Sequence, residues 1–408
     1  MNPIRRIPMG GARILLTLLM AALLVFAVAA CGGSSSSSSS STAESEAGTE
    51  EAGSEEGTAE EGETEEGETE EASSEEGETA EASYPPESTS PNFPNYVEKY
   101  GPKGVKPATK PYKVAVLLPA TELPAQQSLG QGFEEGAKAL NIELTVFNAG
   151  GFENVSKQVS QFETAIGENP DAIVVIPTSP VAFNSQVDKA VGDGINVFGA
   201  LIAPLDPKVT YTLADPLEED GAKSVKALAE AIGEEGEIMG IFGGAGGAPN
   251  TLFVKGAKKE LANYPKIEEV YSKNLTNYSP AEAQSAAENG LVSHGDVSGI
   301  LTNSTSLAPG ITNALKGQGK EQLPLTGLGP SDQAEIEELE KGTITIGVTP
   351  PFYSVGGLTL EWALAIEEGQ KPPAPETALE SMVFTTENMK EGVESGALYQ
   401  ALAPNTLE

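Results

Sequence analysis

From Tyr112 onward, short apolar runs alternate with amphipathic stretches, and the whole cycle occurs twice. Val114–Leu118 is a β-branched apolar run; Leu129, Phe133, Ala137 and Leu140 then recur at helical spacing. Ile142–Phe147 is the next strand, and Val155, Val159, Phe162 and Ile166 mark one helix face. Ala172–Ile176 is a buried strand, followed by a Ser179-Pro180 helix start; Asn196–Gly199 and Val209–Leu213 are further strands. The second cycle has strands at Ile238–Phe242, Ile267–Tyr271, Gly299–Thr302, Leu325–Leu328 and Thr343–Val348. Its helices include 251–261 and one opened by the Ser279-Pro280-Ala281-Glu282 capping box. A last helix over 356–368 and a strand over 381–384 close the pattern. Such alternation specifies an α/β fold of two doubly wound, Rossmann-like lobes with parallel sheets. Ligands in such sheets gather at the carboxyl ends of the strands.

The segment before this pattern cannot build a core. Residues 34–41 are all Ser, and residues 32–92 hold 19 Glu with no Lys, Arg or Asp. Too little apolar surface is available to offset the entropy of ordering, and the charges repel. Residues 31–111 are therefore predicted to be a disordered Ser/Glu-rich linker. Sixty residues of flexible coil reach roughly 40–45 Å. Nothing in its composition carries a recognition motif, so a solvated spacer accounts for it as simply as an arm through an envelope layer.

Arg5, Arg6 and Arg13 lead into the uncharged run Ile14–Ala30, which ends Val28-Ala29-Ala30-Cys31-Gly32. This resembles the bacterial lipoprotein signal, with Val28 where Leu is commoner. The resemblance implies a signal peptide over 1–30, diacylglycerol on Cys31, and a membrane-attached, extracytoplasmic protein. An ordinary signal peptide or an uncleaved anchor helix is the alternative. Cys31 is the sole cysteine, so no intrachain disulfide is available to the fold.

Of the net charge of −36, the signal contributes +3 and the linker −19, leaving −20 for residues 93–408. An acidic globular part argues against nucleic-acid binding, which needs clustered Lys and Arg. The sole histidine, His294, rules out a multi-His metal site and leaves a Ser-His-Asp triad without support; no Gly-x-Ser-x-Gly elbow occurs. Gly243–Gly247 lacks the Gly-Lys-Ser/Thr ending of a phosphate loop and reads as a tight strand-to-helix turn. No enzyme activity, cofactor or metal is expected.

Several segments carry a family resemblance: Val114–Leu118 with Leu123-Pro124 and Ser128–Gly132, Asp171–Pro177, Ile195–Val197, Leu213-Ala214-Asp215, and Lys341–Ile344. Together they resemble the type I periplasmic binding proteins, most closely the ribose-binding branch of ABC-importer receptors. The resemblance implies a three-segment hinge with crossings near 213–217, 348–352 and 378–383. Lobe 1 would hold 112–213 and 351–380, and lobe 2 would hold 217–348 with 381–408. It implies a monomer that captures a small molecule between its lobes and delivers it to an ABC permease. A ligand-sensing receptor acting with a membrane signalling partner is the alternative.

The expected pocket departs from sugar-binding members. Ala125 and Gln126 stand where that family has paired aromatics, Leu201-Ile202 where it has Asp-Arg, Phe253 where it has Arg, Gly329 where it has Asp, and Pro350 where it has Gln. The expected lining is Leu123, Leu201, Ile202, Phe253, Phe352 and Tyr353, with Glu122, Gln126, Asn303, Ser304 and Ser331 supplying hydrogen bonds. Such a lining points to a ligand less polar than a simple sugar. Phe253 and Leu201 equally suit interlobe packing, Phe352 and Tyr353 equally suit anchoring the final helix, and Glu122 suits a solvated loop.

Overall fold

The structure, a computed structural model, describes residues 89 and 91–398. The signal segment, Cys31 and most of the linker lie outside the described residues. A helix, α1 (Tyr96–Tyr100), precedes the first sheet. Then follow β1 (Tyr112–Leu118), α2 (Pro124–Leu140), β2 (Ile142–Asn148), α3 (Val155–Gly167), β3 (Ala172–Val175), α4 (Asn184–Gly192), β4 (Asn196–Leu201) and β5 (Tyr211–Ala214). The second cycle is α5 (Leu217–Ala231), β6 (Gly236–Phe242), α6 (Ala248–Leu261), β7 (Ile267–Asn274), α7 (Pro280–Ser293), β8 (Val297–Thr302), α8 (Ala308–Gly317), β9 (Leu325–Leu328), α9 (Gln333–Glu340) and β10 (Ile346–Thr349). The chain ends with α10 (Phe352–Glu367), β11 (Glu376–Ala378), β12 (Met382–Thr385) and α11 (Met389–Glu394).

Two six-stranded sheets result. Their orders are β11-β5-β4-β3-β1-β2 and β12-β10-β9-β8-β6-β7. All neighbours pair in parallel except β12, which runs antiparallel to β10. Both sheets share one winding: the first strand of each cycle lies inside the second, so the connections diverge there and open a crevice at the strand ends. Three segments pass between the sheets: β5 to α5, β10 to α10, and β11 to β12. Strands β1 and β3 are apolar on both faces because helices cover both, as near-continuous Val/Ile/Leu runs require.

Each lobe contains close helix–helix crossings made possible by glycine, of which two bear on the expected site residues. A methyl on Gly132 of α2 would sit 2.2 Å from the Tyr353 carbonyl of α10. One on Gly221 of α5 would sit 2.1 Å from the Phe253 carbonyl of α6. These crossings fix where Tyr353 and Phe253 point, which matters below.

Several boundaries differ from the sequence expectation, among them the helix start expected at Ser179-Pro180, which falls at Asn184; two others have a clear cause. The helix expected at 356–368 begins at Phe352, because Pro350-Pro351 ends the crossing and α10 is buried nearly all round. The linker expected to reach residue 111 gives way to ordered chain much earlier. Phe93, Tyr96 and Tyr100 restore the apolar surface that the Glu-rich stretch lacks; Tyr96 is fully buried, and Asn95 caps α1 by accepting from the Glu98 amide at 3.3 Å.

Candidate functional site

The crevice between the sheets holds an inner cavity of about 100 Å³ and an outer chamber of about 600 Å³. Leu123, Phe152 and Tyr278 line both and form the neck between them. Across that neck, Phe152 of lobe 1 faces Tyr278 of lobe 2 with ring centroids 6.5 Å apart, within aromatic pairing range. Ser128 of α2 reaches the Ser331 carbonyl at 3.4 Å and adds a second contact across the crevice.

Lobe 1 supplies an apolar wall. Leu123, Ala125, Ile176, Leu201, Ile202 and Phe352 line it. Leu201 ends β4 with φ of 62°, a left-handed conformation that a bulky side chain rarely adopts. The Ile202 amide bonds back to the Ala200 carbonyl at 2.7 Å, and Asp215 N–H donates to the Leu201 carbonyl at 2.8 Å. This tight turn delivers Leu201 and Ile202 to the cavity together. Strain of this kind is tolerated where the surroundings hold it, commonly at binding sites.

Two polar atoms interrupt the apolar lining. Gln126, only 6% exposed in the first turn of α2, has no hydrogen-bond partner for Oε1. Asp215, on the first crossing, brings a second polar group, its carboxyl hydrogen-bonded to that of Asp220 behind it. Burial first, and then the neighbouring Asp220 carboxyl, push the Asp215 carboxyl well above the usual range. Asp220 is pushed up to about 6, chiefly by burial. Buried polar groups are nearly always paired, so the unpaired Gln126 oxygen marks where a ligand's polar group belongs.

Lobe 2 supplies a hydroxyl-rich wall built on one buried carboxylate. Glu335 of α9 accepts from Thr305 Oγ1 at 2.6 Å, Ser306 Oγ at 2.8 Å and the Ser331 amide at 2.6 Å. Burial, then the Asp332 charge, push its carboxyl up to about 7 against the pull of those hydrogen bonds. With the Ser306 proton directed at Glu335, its hydroxyl offers the cavity lone pairs. Gly329 has no side chain because none fits: a methyl there would lie 1.7 Å from Thr305 Oγ1. The Asn303 amide spends both ends on Gly243, accepting from its N–H at 2.7 Å and donating to its carbonyl at 3.0 Å. The Gly-rich turn is a shelf for Tyr278, whose ring would lie 2.5 Å from a methyl on Gly243. Burial pushes the Tyr278 hydroxyl up to about 12.

Of the residues expected from sequence, Leu123, Gln126, Leu201, Ile202, Asn303, Ser304, Ser331 and Phe352 meet at the inner cavity. Three do not. Phe253 is fully buried behind the wall, 6.3 Å from the Phe242 ring, in a cluster with Val225, Leu228 and Leu301. Tyr353 is turned away by the α2–α10 crossing, and its hydroxyl donates to Glu135. Glu122 lines the outer chamber and accepts from the Thr121 amide at 3.0 Å. Sequence reasoning missed Phe152, Asp215, Tyr278 and Ser306. Among the described residues, no group of three or more His, Cys, Asp or Glu is placed to hold a metal ion, and no helix is long and apolar enough to cross a membrane.

Residues 114–371 match the model of the periplasmic binding protein domain. The chain belongs to this family. A xylitol-binding protein of Mycolicibacterium smegmatis is 30% identical over 199 residues, covering 48% of this chain and 56% of that protein. The match thus spans little more than half of that relative. The D-xylose-binding periplasmic protein of Escherichia coli is 26% identical over 273 residues, 66% of this chain and 82% of that protein. Among solved structures, an Actinobacillus succinogenes periplasmic solute-binding protein with bound D-allose superposes with a TM-score of 0.63 at 24% identity, over 69% of this chain and 99% of that one. A periplasmic ribose ABC transporter protein from Conexibacter woesei superposes with a TM-score of 0.65 at 19% identity, over 73% and 99%. These two structures agree in fold: paired parallel sheets around a crevice.

Proposed function

We propose that this chain is an extracytoplasmic solute-binding lipoprotein. It captures a small, uncharged, hydroxyl-bearing compound between its lobes and delivers it to an ABC permease in the membrane, with diacylglycerol on Cys31 as its anchor. The observation that carries this reading is an otherwise apolar cavity between the lobes whose polar lining includes Gln126, with an unpartnered buried Oε1, and the Asp215 carboxyl. Hydroxyl groups of a ligand would satisfy both while its carbon face lies on Leu201 and Ile202. No Lys, Arg or His lines either chamber, which disfavours an anionic ligand. Relatives whose names record binding of xylitol, D-xylose and D-apiose support a sugar or polyol as the ligand class. The apolar wall favours a member of that class with few hydroxyls on one face. Both walls come from one chain, so a monomer suffices.

Isothermal titration with xylitol, D-xylose, D-ribose and D-allose tests the reading. Saturable one-to-one binding of at least one compound, weakened by Asp215→Ala, is the expected result. Tighter binding of a sugar phosphate or sugar acid than of any neutral compound would contradict it.

A further inference from the structure

The chain ahead of lobe 1 lies across the hinge, touching lobe 2, the third crossing and lobe 1 in that order. On lobe 2, the Thr89 amide donates to the Ser395 carbonyl at 2.9 Å, Asn92 Nδ2 donates to Glu391 at 2.9 Å, and the Phe93 ring packs 5.1 Å from Phe384. At the third crossing, the Tyr96 hydroxyl donates to the Glu380 carbonyl, the Glu380 amide donates to the Tyr100 hydroxyl at 3.2 Å, and Lys99 pairs with the Glu380 carboxylate at 2.6 Å. On lobe 1, Trp362 Nε1 donates to the Tyr100 carbonyl at 2.8 Å, and the Ala108 amide donates to the Leu140 carbonyl at 2.8 Å. A segment fixed to both lobes and to the strand between them cannot stay in place while the lobes rotate.

The same crossing reaches the cleft. Ser381, the residue after Glu380, donates from Oγ to Asp220 Oδ2 at 2.9 Å. Asp220, in the first turn of α5, is hydrogen-bonded in turn to Asp215, which lines the inner cavity. Asp220 touches no lining surface itself. The path runs from α1 through the third crossing to the first crossing and ends at Asp215, a residue of the cavity lining.

We propose that residues 89–108 form a strap that holds the third crossing in register, so that Ser381 and Asp220 act as positioning residues for Asp215 in the cleft. The role of Asp215 toward ligand rests on the solute-binding reading; the strap's hold on Asp220 does not. The groups facing Asp220 are Asp215 on the first crossing, Ser381 on the third, Lys223 and Glu219 on its own helix, and Tyr96 on the strap. Burial raises the Tyr96 hydroxyl well above its ordinary value, so near neutral pH it carries no charge that acts on Asp220 directly. Any effect of Tyr96 on Asp220 then reports geometry.

The test is the titration of Asp220, followed by carbon-13 NMR of labelled Asp carboxyls in the full-length protein in detergent micelles. In the unmodified protein, burial is expected to raise the Asp220 midpoint to about 6. Ser381→Ala removes a hydrogen bond to the charged form and raises the midpoint. Tyr96→Phe keeps the buried ring and loses only the hydroxyl, and it is expected to raise the Asp220 midpoint by about half a unit or more, as a displaced Ser381 would. Phe93→Leu, which loosens the strap at its lobe 2 end, is expected to move the midpoint the same way and guards against a folding defect in Tyr96→Phe. A lowered melting temperature with an unmoved midpoint in both strap variants would overturn the proposal and leave the segment a stabilising cover. Because this titration needs no ligand, failure of the solute-binding reading leaves it intact. If Asp215→Ala also leaves binding of every sugar and polyol unchanged, only that reading fails.

Discussion

The two walls of the cleft are built on different principles. Lobe 1 presents Leu123, Leu201, Ile202 and Phe352, apolar groups set by strand ends and one strained turn. Lobe 2 presents Ser304, Ser306 and Ser331, and the hydroxyl and amide of the last two are committed to the buried Glu335 carboxylate. The apolar wall needs only shape, since dispersion and burial are non-directional. The polar wall needs every donor aimed, and one carboxylate does the aiming. On the proposed reading a ligand seated between them would rest carbon on Leu201 and Ile202 and turn its hydroxyls to Ser306 of lobe 2, to Asp215 on the first crossing and to Gln126, the one polar side chain that α2 adds to the lobe 1 wall.

The largest effect expected from breaking this contrast lies behind the lobe 2 wall. Phe253→Ala should cost about 3–5 kcal/mol of unfolding free energy by opening a cavity, with ligand affinity unchanged. Urea unfolding beside calorimetric titration measures both, and a large loss of affinity at intact stability would return Phe253 to the site. Next comes Asp215→Ala, expected to weaken binding about tenfold or more, because a hydrogen bond in a buried site is lost. Ile202→Ala on the opposite wall should cost less and by the same factor for all neutral ligands, because apolar contact does not discriminate among hydroxyl patterns.

A smaller effect is the polar wall's share of a pH signature, to which Glu361 and Asp220, carboxyls also raised by burial, contribute with the same sign. The Glu335 carboxyl rises from 4.5 to about 7 on folding, so the folded protein holds a proton that the unfolded chain releases in that window. Stability should fall as pH rises from about 4.5 to 7, and Glu335→Gln should flatten that part of the melting-temperature profile. An unchanged slope would mean that Glu335 is better solvated than its burial implies. Smallest of all, deletion of residues 32–88 should leave affinity within about twofold, since a stretch of Ser, Glu, Gly, Thr and Ala carries no recognition motif. Deletion through Tyr100, by contrast, should lower the melting temperature, because it uncovers Trp362 and Phe384.

The same contrast explains what the sequence disclosed. Strand and helix periodicity carried the paired sheets, while Leu201-Ile202 entered the expected lining only through the family resemblance, with interlobe packing an equal reading for Leu201. Phe253 was not legible as core because a single aromatic on a helix carries no sign of which face it joins. Its partner Ala257, four residues on and also buried, was the available signal. Ser306 and Asp215 escaped notice because their meaning depends on Glu335 and Asp220, which only the folded chain brings beside them. Tyr278 was hidden for a similar reason: the glycines that shelve it lie more than thirty residues earlier, at Gly243 and Gly244. The strap was missed because three aromatics following sixty residues of Ser and Glu do not outweigh composition in any window.

The central claim is that the two walls close on one solute. A crystal structure of the protein with the compound that co-purifies from its host tests this most directly. The account predicts the compound in the inner cavity, its carbon face on Leu201 and Ile202 and its hydroxyls on Gln126, Asp215 and Ser306. A compound bound on one lobe alone, or outside the crevice, would contradict it.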